Sequence, residues 1–150
     1  MAGILLADVS ARVVTAGTFV VEGQPMSRRT RDALTSVGVE SFPAHRSHQL
    51  TDADVDGADL IIAMAGEHVA YVRRRHPEAA ERTATIRRLV RDLSDGPGPL
   101  VERVAALGLA ATEIELWEDV EDPAGGEDEV YVSCAKELAQ LTAELAPRLR

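Results

Sequence analysis

Aromatic side chains and cysteine are scarce in this chain of 150 residues. Phe, Trp and Tyr together make up 3% of it, so the core must be built from aliphatic side chains. Its one cysteine excludes an internal disulfide and favours a cytoplasmic location. No apolar run is long enough to cross a membrane as a helix, so no membrane partner is expected. The formal net charge of −9 argues against nucleic acid or an anionic membrane surface as the main partner.

The pattern of apolar residues predicts an α/β fold in a single domain over residues 1–150. Residues 60–64 are apolar at every position, which is typical of a strand covered on both faces in a parallel sheet. Further strands are predicted at 12–15 and 83–86, with a short extended segment at 39–42. The predicted helices cover residues 1–9, 25–37, 51–56, 67–75, 87–93, 100–107 and 129–148. Strands that alternate with helices predict a parallel sheet flanked by helices.

The first predicted helix begins without a capping residue. Apolar residues from Met1 to Val9 recur at helical spacing. No Ser, Thr, Asp or Asn stands ahead of Met1 to accept hydrogen bonds from the first free N–H groups. The helix leads directly into the predicted strand at 12–15. A helix that lacks a start and leads into a strand predicts an upstream segment that this chain does not contain.

Cys134 is predicted to be a buried structural residue and not a nucleophile. It lies on the apolar face of the last predicted helix, together with Leu138. An activated thiolate needs a cationic neighbour or a helix N-terminus. The residue six positions after Cys134 is Gln140 and not Arg, and residues 127–129 and Glu137 are acidic. A buried free cysteine commonly behaves as a small apolar residue.

Two groups of polar side chains are candidate binding residues, and each also has a structural interpretation. A histidine pair near two aspartates could bind a metal, but no third ligand follows at a recognisable spacing, so no metal or other cofactor is expected. The residues are His45, His48, Asp52 and Asp54. A basic stretch is predicted to be a solvated helix face and loop, since such runs usually are. It consists of Arg73, Arg74, Arg75, Arg82, Arg87, Arg88 and Arg91.

Five short motifs follow one another in a characteristic order. They are Thr15-Ala16-Gly17-Thr18, Gly23-Gln24-Pro25, Ala44-His45-Arg46-Ser47-His48-Gln49-Leu50, Ala58-Asp59-Leu60-Ile61-Ile62-Ala63-Met64 and Asp122-Pro123. Their order resembles that of the low molecular weight protein tyrosine phosphatases. The resemblance implies a three-layer α/β fold that hydrolyses phosphotyrosine or other phosphomonoesters with a cysteine nucleophile. It places Asp122 where the family has a general acid that protonates the leaving oxygen. The implied partner is a phosphorylated protein or a small phosphomonoester.

The same resemblance implies that the family's nucleophile lies outside these 150 residues. The family opens with a central strand that runs into Cys, five residues, Arg, Ser or Thr, and Pro, and this loop cradles phosphate at a helix N-terminus. Met1-Ala2 resembles the Met-Ala that follows the loop, so the domain is predicted to be N-terminally truncated and inactive as given. A non-catalytic binding or regulatory module is the alternative. An arsenate-reductase-like activity is disfavoured because it needs further cysteines. Ala65 and Ala124 replace an Asp and an aromatic residue that the family often has near its active site.

Overall fold

The computed structural model describes residues 1–6, 11–42 and 44–150. The helices are α1 (Ala2–Leu5), α2 (Arg28–Ser36), α3 (Asp52–Asp56), α4 (Gly66–Arg75), α5 (Ile86–Asp92), α6 (Leu100–Ala105) and α7 (Asp128–Leu145). The strands are β1 (Ile61–Ala63) and β2 (Thr83–Thr85). Short 3₁₀ turns cover Pro77–Arg82, Leu109–Ala111, Leu116–Glu118 and Ala146–Leu149. Among these described helices, none combines the length and the apolar character that a membrane crossing requires.

The chain forms two compact units. The loop unit consists of Met1–Leu50 and Glu121–Ala143, and the sheet unit consists of Thr51–Val120 and Glu144–Arg150. In the loop unit, α2 buries Leu34 completely. In the sheet unit, the largest buried side chains are aliphatic, as the low aromatic content predicts.

The sheet unit is built on a parallel strand pair. β1 and β2 run parallel, with Ile62 opposite Ala84. All three residues of β2 are buried, and α4 and α5 both pack against this strand. A parallel pair needs a crossover connection, which α4 and the turn after it supply. The arrangement confirms the α/β class, the strands predicted at 60–64 and 83–86, and their parallel direction.

Helix ends in the structure follow from local side-chain chemistry. Thr51 Oγ1 accepts a hydrogen bond from the Asp54 N–H, and the Asp54 carboxylate accepts one from the Thr51 N–H at 2.9 Å. This capping box confirms the predicted start of α3. Ser27 caps α2, so this helix begins later than the predicted residue 25. Gly38 ends the same helix with a φ of 88°, a conformation that favours glycine.

The predicted strand at 12–15 is wrong. These residues form no strand, and Val13 and Val14 are 39% and 52% exposed. A strand requires a neighbouring backbone to pair with, and none of the described residues pairs with this segment. The segment at 39–42, predicted only as extended, lies outside the strands of the structure. The helix predicted at 1–9 is present only as α1, and positions 7–9 of that prediction lie outside the described residues.

Candidate functional site

Asp122 lies in an exposed, tightly turned loop of the loop unit. Its Oδ1 accepts a hydrogen bond from the Ala124 N–H at 2.9 Å. The Gly126 N–H donates to the Pro123 carbonyl at 2.9 Å, and Gly125 has a φ of 83° that closes the turn. The Asp-Pro sequence therefore sets the turn, and the carboxylate keeps a second oxygen available to solvent or to a ligand.

Arg29 of α2 anchors the end of this loop. Its Nη1 donates to the Gly126 carbonyl at 2.8 Å, and its Nε lies 2.9 Å from Oδ1 of Asp128. Its guanidinium also lies 5.9 Å from the centroid of the Tyr131 ring. The side chains that make these contacts are partly exposed, so each contact is weak by itself. Together they connect α2 to the residues that follow the turn at Asp122.

Cys134 does not have the properties of a nucleophile. It is 5% exposed within α7, which confirms the predicted burial. Burial raises the pKa of its thiol, and the negative charge of Glu137 raises it further; the positive charge of the Met1 amino group opposes this rise, and Asp122 and Glu121 add smaller increases. The thiol therefore stays protonated near neutral pH, whereas nucleophilic attack requires the thiolate.

An open cleft of about 960 Å³ lies within the loop unit. Its walls come from residues 1–48 and combine aliphatic side chains with hydroxyl and imidazole groups. The polar groups include Thr15, Ser27, Thr30, Ser41, His45, Ser47 and His48. Neither Asp122 nor Cys134 belongs to this lining, so the described residues do not bring the predicted acid into the cleft.

The loop at the edge of the cleft is fixed by the segment around Ser47 and Gln49. The Val20 N–H donates to Oε1 of Gln49 at 3.0 Å, and Nε2 of Gln49 donates to the Thr18 carbonyl at 3.0 Å. The Ser47 Oγ donates to the Val21 carbonyl at 2.5 Å. These bonds hold the loop in one conformation while Phe19 remains 98% exposed. The motif at 44–50 therefore has a positioning role in this structure.

Three of the four candidate metal ligands have partners of their own. Nδ1 of His48 lies 3.1 Å from Oε1 of Glu22, and Asp54 belongs to the capping box of α3. Asp52 lies 3.7 Å from Nε2 of His76. His45 lines the cleft. Across residues 1–6, 11–42 and 44–150, no three His, Cys, Asp or Glu side chains come together as a metal-binding group.

The chain matches a protein family over most of its length. The family model described as "Low molecular weight phosphotyrosine protein phosphatase" matches residues 5–98. The chain belongs to this family. It is 32% identical over 138 residues to a protein-arginine-phosphatase of Geobacillus stearothermophilus. That alignment covers 92% of this chain and 76% of that protein.

Solved structures agree with the family membership. The YwlE arginine phosphatase from Geobacillus stearothermophilus superposes with a TM-score of 0.74 at 30% identity, over 99% of this chain and 82% of that one. A low molecular weight protein tyrosine phosphatase from T. tengcongensis superposes with a TM-score of 0.64 at 32% identity, over 87% and 72%. The α/β fold deduced from the sequence is therefore the fold of this phosphatase family.

In this low molecular weight phosphatase chain, the interpretation of the basic stretch as a solvated face holds for Arg74, Arg75 and Arg91, which are exposed, but is wrong for Arg88. Arg88 is 6% exposed, and its Nη2 lies 2.5 Å from Oε1 of Glu118, which is 3% exposed. The hydrogen bond with Glu118 is the main cause that keeps the pKa of Arg88 above its ordinary value. Arg87 donates to the Trp117 carbonyl at 2.8 Å. Sequence reasoning missed this network because its partners lie about 30 positions away along the chain.

Proposed function

We propose that residues 1–150 form one phosphatase-family domain, that the parent activity is hydrolysis of phosphorylated proteins or small phosphomonoesters, and that Asp122 stands at the general-acid position. Two facts support the proposal: the family membership, and an exposed Asp122 carboxylate in a turn anchored by Arg29. A carboxylic acid at this position protonates the leaving oxygen as its bond to phosphorus breaks, and the carboxylate then activates water.

The 150 residues by themselves should not turn over a phosphomonoester. Family chemistry needs a thiolate, and the one cysteine of the chain is buried with a raised pKa. We expect the purified chain to release no more p-nitrophenol from p-nitrophenyl phosphate than a Cys134→Ser variant does. Robust turnover that the Cys134→Ser substitution abolishes would overturn this part of the proposal.

The role of Asp122 is tested best in a chimera that supplies the missing chemistry. The strand and phosphate-binding loop of the Geobacillus arginine phosphatase would be fused ahead of the 150 residues. Asp122→Asn should then lower kcat/KM for phenyl phosphate, which reports the transfer of phosphate to the cysteine before water attacks, by about 10²–10⁴-fold. The loss should be much smaller for p-nitrophenyl phosphate, because p-nitrophenolate leaves without protonation. Glu121→Gln, which removes the neighbouring exposed carboxylate, is the matched control. Equal losses for both substrates would refute a general-acid role.

The similarity to an arginine phosphatase favours phosphoarginine as a second substrate class. Ala124 follows Asp122-Pro123, so this position provides no aromatic side chain to stack on a phosphotyrosine ring. The same chimera would be assayed with peptides that differ only in carrying phosphoarginine or phosphotyrosine. A higher kcat/KM for phosphotyrosine would contradict the assignment of phosphoarginine.

A non-catalytic binding or regulatory module is the alternative, and it also agrees with a chain whose one cysteine is buried. It predicts that the 150-residue chain binds a phosphorylated peptide without hydrolysing it. Calorimetric titration with the phosphorylated and unphosphorylated forms of one peptide distinguishes the two functions. Equal binding of both forms would count against a phosphate-reading module.

A further inference from the structure

Two arginines of the sheet unit each retain one buried N–H group without an acceptor. Arg73, on α4, uses its Nη atoms to donate to the carbonyls of Thr112 and Leu109. Arg88, on α5, uses its Nη2 to donate to the Glu113 carbonyl and to Glu118. The Nε atom of each arginine is inaccessible to solvent, and neither makes a hydrogen bond with any described residue.

Both arginines line the same small cavity. Its volume is about 10 Å³, which is about the space that one water molecule needs. Thr83 and Thr112 also line it. Each hydroxyl already donates its proton to a backbone carbonyl, that of Ala79 for Thr83 and that of Gly108 for Thr112. Both threonine oxygens therefore have lone pairs left to accept a hydrogen bond.

We propose that this cavity is the binding site of one structural water molecule that joins α4 to α5. The water oxygen accepts a hydrogen bond from Nε–H of Arg73 and another from Nε–H of Arg88. The water donates its own two hydrogen bonds to the hydroxyl oxygens of Thr83 and Thr112. A buried water typically makes about three such bonds to groups that otherwise lack partners. A buried donor with no acceptor is costly, so the water stabilises both guanidinium groups in place.

The charge around the cavity favours a neutral occupant over an anion. A halide ion is the obvious competitor, because both donors belong to cations. The positive charge of Arg88 is already matched by the carboxylates of Glu118, Glu115 and Asp92. A cavity of about 10 Å³ also provides no room for an ion larger than water. The site should therefore hold water.

The direct test is the electron density of crystals of the 150-residue protein, grown with bromide. The expected result is one water oxygen within about 3.2 Å of both Nε atoms, with no anomalous bromide peak. Clear density for the surrounding side chains without a peak between the two Nε atoms would overturn the proposal. A bromide peak at that position would overturn it equally.

Oxygen-17 relaxation dispersion in solution provides a second test, because it counts long-lived buried waters. Val69→Ile adds a methyl group at the cavity wall, whereas Val72→Ile adds the same group to a buried valine of α4 away from the cavity. We expect Val69→Ile to lose one long-lived water and Val72→Ile to lose none. Arg73→Met should also lose the water, and its neighbour variant Arg74→Met should keep it. Equal counts in wild type, Val69→Ile and Arg73→Met would refute the site.

Discussion

Replacement of Arg88 by methionine tests the buried ion pair of the sheet unit. In wild type, burial by itself raises the pKa of Glu118. Hydrogen bonds from Arg88, the Glu115 N–H and Thr85 outweigh this effect, so the pKa of Glu118 lies below its ordinary value. Met removes the cation and leaves the Glu118 carboxylate buried with only the bonds from Glu115 and Thr85, at 2.9 and 2.8 Å. The substitution keeps most of the aliphatic volume, so the lost charge dominates.

The expected loss in the free energy of unfolding is a large fraction of the stability of a typical domain. Removal of one partner of a buried ion pair costs about 3–5 kcal/mol. The two remaining hydrogen bonds place Arg88→Met at the lower end, about 3 kcal/mol. A domain is typically stable by about 5–15 kcal/mol, so the variant should fold but unfold at much lower urea concentration.

The sign of the pH dependence follows from the pKa of Glu118. A carboxyl whose pKa is depressed in the folded state stabilises that state above the unfolded pKa, and this contribution is lost as pH falls through the folded value. In Arg88→Met, burial raises the pKa of Glu118 because the opposing cation has gone. Protonation then relieves the buried charge as pH falls. The difference in the free energy of unfolding between wild type and Arg88→Met should therefore be greatest near neutral pH and shrink below about pH 5.

Urea unfolding followed by far-UV circular dichroism measures both quantities. If residues 1–150 form a single domain, as we propose, wild type should unfold in a single transition. Arg91→Met is the control. The Arg91 guanidinium lies 4.1 Å from the centroid of the Trp117 ring, but its side chain is exposed. The control should stay close to wild type at each pH. A deficit below about 1 kcal/mol for Arg88→Met, or one that does not change with pH, would refute the reasoning.

Three further outcomes are expected. Thr51→Ala should lower the free energy of unfolding by about 0.5–2 kcal/mol, because it removes the side-chain cap of α3. Thr51→Ser should retain most of that stability. An unchanged urea midpoint in the Ala variant would contradict the capping role of Thr51. Arg29→Gln should speed hydrogen exchange at the Gly126 amide, whereas Arg28→Gln should not; equal rates would show that Arg29 does not anchor the loop. Iodoacetamide should label Cys134 more slowly than a cysteine in an unfolded peptide, and labelling at the peptide's rate would contradict its burial.

Local signals in the sequence were sufficient for three features: a strand, a helix cap and a buried cysteine. The apolar run at 60–64 needs cover on both faces, and it forms β1 in a parallel pair. Thr51 and Asp54 have the spacing of a capping box and form one. Burial of Cys134 followed from its place on the apolar face of the last helix. Each of these features depends on side chains within one or two turns of each other.

Features that depend on distant partners could not be read in the same way. Residues 12–15 have the composition of a strand, but strand formation also depends on a neighbouring backbone, which the segment's own sequence does not specify. Arg88 is one of several arginines with similar local surroundings, and only the fold brings Glu118 to it. For the candidate site, the position of Asp122 came from the resemblance to the family, whereas its anchor Arg29 had no local signal because it lies 97 positions from Gly126.

Several arginines have an architectural role in the sheet unit. Its loops are held by guanidinium groups that donate to two or more backbone carbonyls each. Arg82 donates to the carbonyls of Ala58, Val55 and Glu78, and Arg103 to those of Ser94, Gly98, Arg148 and Arg150. A planar guanidinium with five N–H donors satisfies several loop carbonyls at once, which a lysine ammonium on its flexible stem cannot do in the same geometry. Part of the basic stretch in this strongly acidic chain thus serves internal architecture, and Arg73 and Arg88 each retain a buried Nε–H that makes no hydrogen bond within the described residues.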